Sequence, residues 1–272
     1  MRFPIEERFP RPSVMGVVNV TPDSFSNGGV NFRTEDAVAS AHRMVEEGAA
    51  LVDVGGESTR PGSEGVSAAE ELRRIVPVLE ELGGSVPLSI DTAKAEVARR
   101  ALELGAELVN DITALRGDPD LAEVVASSGA YLCLMHMRGE PRTMQDNPTY
   151  EDVAAEVTSF LEERLHFAVD AGIPVERICL DPGFGFGKTV EQNFELLGRL
   201  GEIVALGRPV LVGLSRKRSL GRILGDPDAT TGPLSASLAA AVEAYGRGAA
   251  IFRVHEVREH VEALTVAAAV PR

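Results

Sequence analysis

Asp181-Pro182-Gly183-Phe184-Gly185-Phe186-Gly187-Lys188 follows the short apolar run Ile178-Cys179-Leu180 and precedes a polar, helix-forming segment. An apolar run that ends in an acid and then a glycine-rich turn reads as the carboxyl end of a buried strand. The glycines permit positive φ and let the backbone approach a bound group closely. Phe184 and Phe186 are unfavourable to expose, so they are expected to wall a pocket, with Asp181 at the strand tip aimed into it. The stretch by itself also reads as a tight strand-to-helix turn in which Asp181 caps the helix.

Outward from this stretch the same pattern repeats. Strand-length apolar runs occur at Val14–Asn19, Leu51–Val54, Pro87–Asp91, Leu108–Asn110, Tyr131–His136, Ile178–Asp181, Pro209–Gly213 and Ala250–His255. Helical segments are expected at Thr34–Glu47, Ser67–Leu82, Lys94–Leu104, Pro119–Ser127, Tyr150–Ala171, Val190–Leu200, Pro233–Tyr245 and Glu256–Ala268. Thr34 reads as an N-cap, Ser67 to Glu70 as a capping box, and Pro119 as a first-turn proline. Eight β-then-α units predict a (β/α)8 TIM barrel of class α/β, a single domain over residues 1–272. An open doubly wound sheet is the alternative, but no G-x-G-x-x-G follows the first strand. In a barrel the active site lies at the carboxyl ends of the strands. Those positions hold Asn19, Glu57/Thr59/Arg60, Asp91, Asn110, His136, Asp181, Lys217 and Arg253/His255.

Composition narrows the function. A net charge of −14 argues against nucleic acid and anionic membranes as partners. Cys133 and Cys179 lie inside apolar runs and read as core residues of a reducing compartment. Met1 to Pro12 carries charges and prolines where a signal peptide needs an apolar stretch, and no run is long enough to span a bilayer. A soluble, cytoplasmic protein is expected. Lysine occurs only at Lys94, Lys188 and Lys217, so a lysine near a strand tip is worth more attention than usual.

Asp91, Asn110 and Asp181 come from different strands and supply two carboxylates and an amide. That set suits a flat heterocycle with several N–H groups, such as a 2-amino-4-oxo pyrimidine edge. Each has a plainer reading, as a helix cap or a turn residue. Ser215-Arg216-Lys217-Arg218 is a short basic run, and Arg253 and His255 share one strand face. Asn19, Thr59, Arg60, Arg253 and His255 together suit a diphosphate, with a divalent ion shared by Asn19. The sequence lacks the acidic cluster of an all-protein magnesium cage, so a metal is expected to arrive with phosphates. His136 reads as a hydrogen-bonded strand-end histidine.

With these residues in view, the chain resembles the dihydropteroate synthase family. The resemblance rests on Met15 to Ser26, Gly55 to Gly62, Ser89 to Thr92, Asn110 to Ile112, Asp181 to Lys188, Gly213 to Lys217 and Arg253 to His255, in the family's order. It implies condensation of 6-hydroxymethyl-7,8-dihydropterin diphosphate with 4-aminobenzoate, release of pyrophosphate, and use of Mg2+. It implies that Asp91, Asn110, Asp181 and Lys217 hold the pterin, that Gly213 and Phe186 line its slot, and that Arg253 stacks on its ring. Asn19, Thr59, Arg60, Arg253 and His255 match the diphosphate and metal site, with Asn19 on the metal. Asp91, Lys217 and Arg253 match the catalytic positions. Loops Thr21 to Gly29 and Thr59 to Gly65 match the pair that completes the aminobenzoate site, beside Pro61 and Ser215, where sulfonamides compete. Arg218 stands where many family members carry a small hydroxyl residue, which leaves the aminobenzoate carboxylate contact open. The resemblance also implies a homodimer on the late helices, for which Ser235 to Ala244 is a candidate face. A dissociative substitution is expected, because no side chain is placed to deprotonate the arylamine. A pterin-type methyltransferase and an inactive pterin-binding protein are the alternatives.

Overall fold

The parallel strands form at the apolar runs: β1 Ser13–Asn19, β2 Leu51–Gly55, β3 Leu88–Asp91, β4 Ala106–Asp111, β5 Tyr131–Met135, β6 Ile178–Asp181, β7 Leu211–Val212 and β8 Ile251–Val254. The computed structural model describes residues 3–21, 34–59, 63 and 65–271. The eight strands run in the order β6-β5-β4-β3-β2-β1-β8-β7, every pairing parallel. A parallel bridge between Leu180 and Val210 joins the two ends, which makes the sheet a nearly closed barrel. The helices lie between the strands: α1 Ile5–Arg8, α2 Thr34–Glu46, α3 Ala68–Leu82, α4 Ala95–Glu103, α5 Leu121–Ser128, α6 Val153–Asp170, α7 Val190–Gly198, α8 Gly201–Val204, α9 Arg218–Ile223, α10 Leu234–Gly246 and α11 Val257–Ala269. The short α1, α8 and α9 were not expected from periodicity, since four to six residues show no stripe.

Alternation along each strand divides the core in two. Val14, Val18, Val52, Val54, Ile90, Leu132 and Leu180 belong to the cluster shared with the helices. Met15, Leu51, Leu108, Tyr131, Cys133, Cys179 and Ile251 form a second cluster inside the barrel, completed by Ile5 and Phe9. The N-terminal segment therefore closes the amino-terminal end of the barrel. Phe9 packs edge-on against Tyr131 at 5.6 Å, and Tyr131 donates from its hydroxyl to the Phe3 carbonyl at 2.8 Å. Cys133 and Cys179 are buried register partners. Two residues further along the inward-facing column the chemistry changes on β2, β4, β6 and β8 to Asp53, Asn110, Asp181 and Arg253, and β3 carries Ser89 followed by Asp91, whereas β1 and β5 stay apolar at Val17 and Met135.

Several boundaries differ from expectation, with local causes. Ser67 accepts from Glu70 N at 3.2 Å, but the Glu70 carboxylate is held by Arg73 and Arg74, so only half of the capping box forms. Pro119 precedes α5 because Asp118 accepts from Asp120 N and Ala95 N in a separate turn. Helix α6 begins three residues after Tyr150, where Asp152 caps Ala155 N at 2.9 Å. Thr34 is inside α2, and the residue before it lies outside the described residues.

Candidate functional site

The glycine-rich turn after β6 is held from both sides. Gly183, Gly185 and Gly187 have φ of 67°, 81° and 63°, where a side chain is strained. A Cβ on Gly183 would strike the carbonyl of His136, and one on Gly187 the carbonyl of Arg138. Lys188 points back into the turn and donates to Gly183 O at 2.9 Å and Phe186 O at 3.1 Å. It also meets His136 Nδ1 at 3.0 Å. Burial pushes Lys188 down to about 7, and burial with the nearby Lys188 charge pushes His136 down to about 2. His136 is thus the hydrogen-bonded histidine expected, with a partner the sequence did not disclose. The long loop after β5 also contributes: Gln145 donates to Gly185 O at 2.7 Å, and Met144 is buried with Met135 and Met137 against Phe186.

Asp181 does not cap a helix. One oxygen accepts from Gly183 N at 2.7 Å, an Asx turn, and Thr189 is the N-cap of α7, with a full capping box to Gln192. Asp91, Asn110 and Asp181 all line a cavity of about 610 Å³ at the carboxyl end of the barrel. Beneath them lies a buried network. Arg253 donates from Nε to Asp53 Oδ2 at 2.7 Å and from Nη2 to Asp91 Oδ2 at 2.7 Å. Asn110 Nδ2 donates to the same Asp53 oxygen at 3.0 Å. Asp53 escaped the sequence reading, although an acid in the middle of Leu51-Val52-Asp53-Val54, two residues from an inward-facing leucine, was a usable signal. Asn110 Oδ1 and Asp53 Oδ1 are buried without a partner among the described residues. Asp111, next in sequence, faces away and is a turn residue: it accepts from Thr113 N, Thr113 Oγ1 and Leu115 N.

Burial raises Asp91 to about 7; Arg253 opposes the shift and Asp53 adds to it. Burial likewise raises Asp181 to about 6, against the Gly183 N–H and Lys217. Lys217 is lowered to about 8 by burial and by Arg253. Burial would lower Arg253 as well, but Asp53 and Asp91 outweigh it and hold the guanidinium above its usual value. Buried groups of both signs therefore sit close to their switching points, as at sites built to receive a polar ligand.

The β7–β8 side adds cations. Lys217 Nζ lies 4.3 Å from the Phe186 ring centroid, a cation–π contact. Its position depends on Arg216, whose φ of 60° is strained and is over-determined by bonds from Arg216 N to Ser237 Oγ and from Arg216 Nε to Glu256. Arg216 is thus an anchor, not a free cation. Ser215 Oγ lies 3.1 Å from His255 Nδ1 and accepts from His255 N at 3.2 Å. The His255 ring opens to the cavity, but the protein crowding it and the Arg253 charge push it down to about 4. Gly213 lines the cavity, and a Cβ there would meet no atom of the described residues within 4 Å. Arg218 and Ser219, in the first turn of α9, both reach the cavity.

Asn19, Thr59 and His255 line the same cavity, whereas Arg60, Pro61 and most of the two loops expected beside them lie outside the described residues. Glu57, another strand-tip candidate, faces away from the cavity: it pairs with Lys94 and accepts from Val66 N at 3.2 Å. Among the described residues no group of three or more His, Cys, Asp or Glu forms a metal cage. Asn19 offers one amide oxygen, which fits an octahedral ion only if about five further oxygens come from phosphate and water.

The chain matches the family of pterin binding enzymes over residues 15–255. It is 48% identical over 260 residues to the dihydropteroate synthase of Escherichia coli strain K12, covering 94% of this chain and 90% of that enzyme. The structure of the Xanthomonas albilineans dihydropteroate synthase with 4-aminobenzoic acid superposes with a TM-score of 0.87 at 49% identity, covering 96% of this chain and 95% of that one. The same enzyme in complex with 7,8-dihydropteroate gives a TM-score of 0.84 at 47% identity, with 96% and 95% covered.

Proposed function

We infer that this chain, which belongs to the pterin-binding enzyme family, carries out the dihydropteroate synthase reaction: 6-hydroxymethyl-7,8-dihydropterin diphosphate and 4-aminobenzoate give 7,8-dihydropteroate and pyrophosphate. It is a transferase of a pterinylmethyl group. The observation that carries the reading is the set of acceptors Asp91, Asn110 and Asp181 on one 610 Å³ cavity that Arg253, His255 and Lys217 also line. Pockets for ligands of this size run from about 300 to 1,000 Å³.

In this reading Asp91, Asn110 and Asp181 accept the ring N–H groups, Lys217 donates to the ring's acceptors, and Phe186 and Gly213 form the slot. Asn19, Thr59, Arg60, Arg253 and His255 hold the diphosphate, and Pro61 and Ser215 stand by the aminobenzoate. Magnesium bound at Asn19 with the diphosphate would neutralise charge on the leaving group. The exocyclic C–O bond breaks with its electron pair going to pyrophosphate. The resulting cation is conjugated with the dihydropterin ring, and Asp91 stabilises it through a ring N–H. The arylamine nitrogen then attacks the carbon and loses its proton to the released pyrophosphate or solvent. The homodimer reading draws support from Val242 on α10 and Val266 on α11, both exposed. No helix among the described residues is long and apolar enough to cross a membrane, which accords with a cytoplasmic enzyme.

Incubating both substrates with magnesium and measuring pyrophosphate tests the activity; no release would remove it. Omitting aminobenzoate tests the mechanism. Slow release from the pterin diphosphate alone is expected for a cation formed before attack. No release, with a rate that tracks aminobenzoate basicity steeply, means concerted displacement.

A further inference from the structure

We propose that Asp53, which does not touch the cavity, is a specificity-determining positioning residue: it fixes the side-chain amide of Asn110 so that its carbonyl oxygen is presented to the ligand as an acceptor. The inference rests on the pterin reading of the site above.

An asparagine amide can present either its oxygen or its NH2, and neighbours decide which. Asp53 Oδ2 accepts from Asn110 Nδ2 at 3.0 Å and from Arg253 Nε at 2.7 Å. An oxygen in a charge-assisted bond with a guanidinium is an acceptor only, so the amide must turn its NH2 towards it. That orientation leaves Asn110 Oδ1 buried and without a partner among the described residues, on a residue that lines the cavity. Asp53 itself is fully buried and absent from the lining. An unpaired buried acceptor is unfavourable until a donor arrives, so the site selects a ring edge that carries N–H at that point. The 7,8-dihydropterin ring has an N–H at N8 where the oxidised pterin ring has a lone pair. With the N8 edge of the ring set against this oxygen, as the proposal has it, the lock favours the reduced ring.

The test is calorimetric titration of the whole protein with 6-hydroxymethyl-7,8-dihydropterin and with 6-hydroxymethylpterin, neither of which can react. The readout is the ratio of the two affinities. In Asp53→Ala the amide has no acceptor to hold it and turns, so the ratio should fall by about tenfold, the value of one hydrogen bond. Asp53→Asn keeps an oxygen in place of Oδ2 and should restore the wild-type ratio. Asn110→Ala should abolish the preference, and adding Asp53→Ala to it should change the ratio no further. If Asp53→Ala does not unfold cooperatively, Asp53→Val, which also lacks an acceptor, replaces it. An unchanged ratio in the alanine variant, with both affinities reduced together, means a merely structural role and overturns the inference. So does an asparagine variant that behaves like alanine, because charge on Arg253 would then be what matters. Failure of the wild-type protein to bind either ring would instead overturn the pterin reading.

Discussion

Asp91 holds two roles in one side chain: it pairs with Arg253 at 2.7 Å and faces the cavity, raised to about 7 by burial. A developing cation beside it draws Asp91 to its ionised form, and a carboxylate placed there contributes about 3–4 kcal/mol. Asp91→Asn should therefore lower turnover by about a hundredfold or more while aminobenzoate affinity changes little; steady-state kinetics decide it, and a rate within threefold of wild type counts against the role. His255 gives a pH signature. Pushed down to about 4 by crowding and Arg253, it is neutral in the free protein near pH 7. A bound diphosphate raises its pKa, so binding takes up protons and affinity increases as pH falls. Calorimetry of pyrophosphate binding near pH 6.5, in two buffers of different ionisation enthalpy, should show greater proton uptake for wild type than for His255→Gln. Equal uptake would sink the assignment.

Elements carry the site only because their ends are tied down. The turn after β6 is required by space: a Cβ on Gly183 meets the His136 carbonyl, and φ is 67°. Gly183→Ala should destabilise by about 3 kcal/mol or more, read as a lower denaturation midpoint; a change below about 0.5 kcal/mol would show that the turn relaxes freely. At the base of the β2–α3 connection Lys94 bridges Glu57 and the fully buried Glu71, whose carboxyl is raised by burial. Lys94→Met leaves that acid alone and should cost about 3 kcal/mol. Adding Glu71→Leu should recover most of it, since an apolar pair of similar volume replaces a buried ion pair at little loss. If the double variant is no better than the single one, the cluster acts through shape, not charge. None of the three lysines is plain surface charge: Lys188 is buried, Lys94 is ion-paired and Lys217 lies over the Phe186 ring. The partners of Lys94 and Lys188 were invisible, because they lie on other elements.

The whole molecule is a barrel with a closed end and a working end. Ile5 and Phe9 are 0% and 2% exposed, and burying two such side chains stabilises by about 3–6 kcal/mol. Deleting residues 1–9 should lower stability by that order in urea titration, yet leave the pterin affinity of the folded fraction near wild type, because the cavity lies at the opposite end. An unaltered midpoint would mean the plug is dispensable. The strand count was legible along the chain, since apolar runs of strand length recur between helical segments; which face of each run points inward was not, because strands buried on both faces carry no alternation. Short α8 and α9 and the half-formed capping box were not, because four to six residues show no period and Glu70 had arginine neighbours within its own helix.

The amino-acid sequence by itself determined which residues form strands, and that Asp91, Asn110, Asp181 and Arg253 stand at strand carboxyl ends. Periodicity and glycine chemistry are local, so they can be read locally. Which of these groups touch was decided only by tertiary structure. Arg253 reaches Asp53 across 200 positions, and Asn110 reaches Asp53 across 57. Lys188 turns inward to His136 across 52. Such pairs form only when the barrel closes and water leaves its interior, where an unpaired charge is too unfavourable to persist.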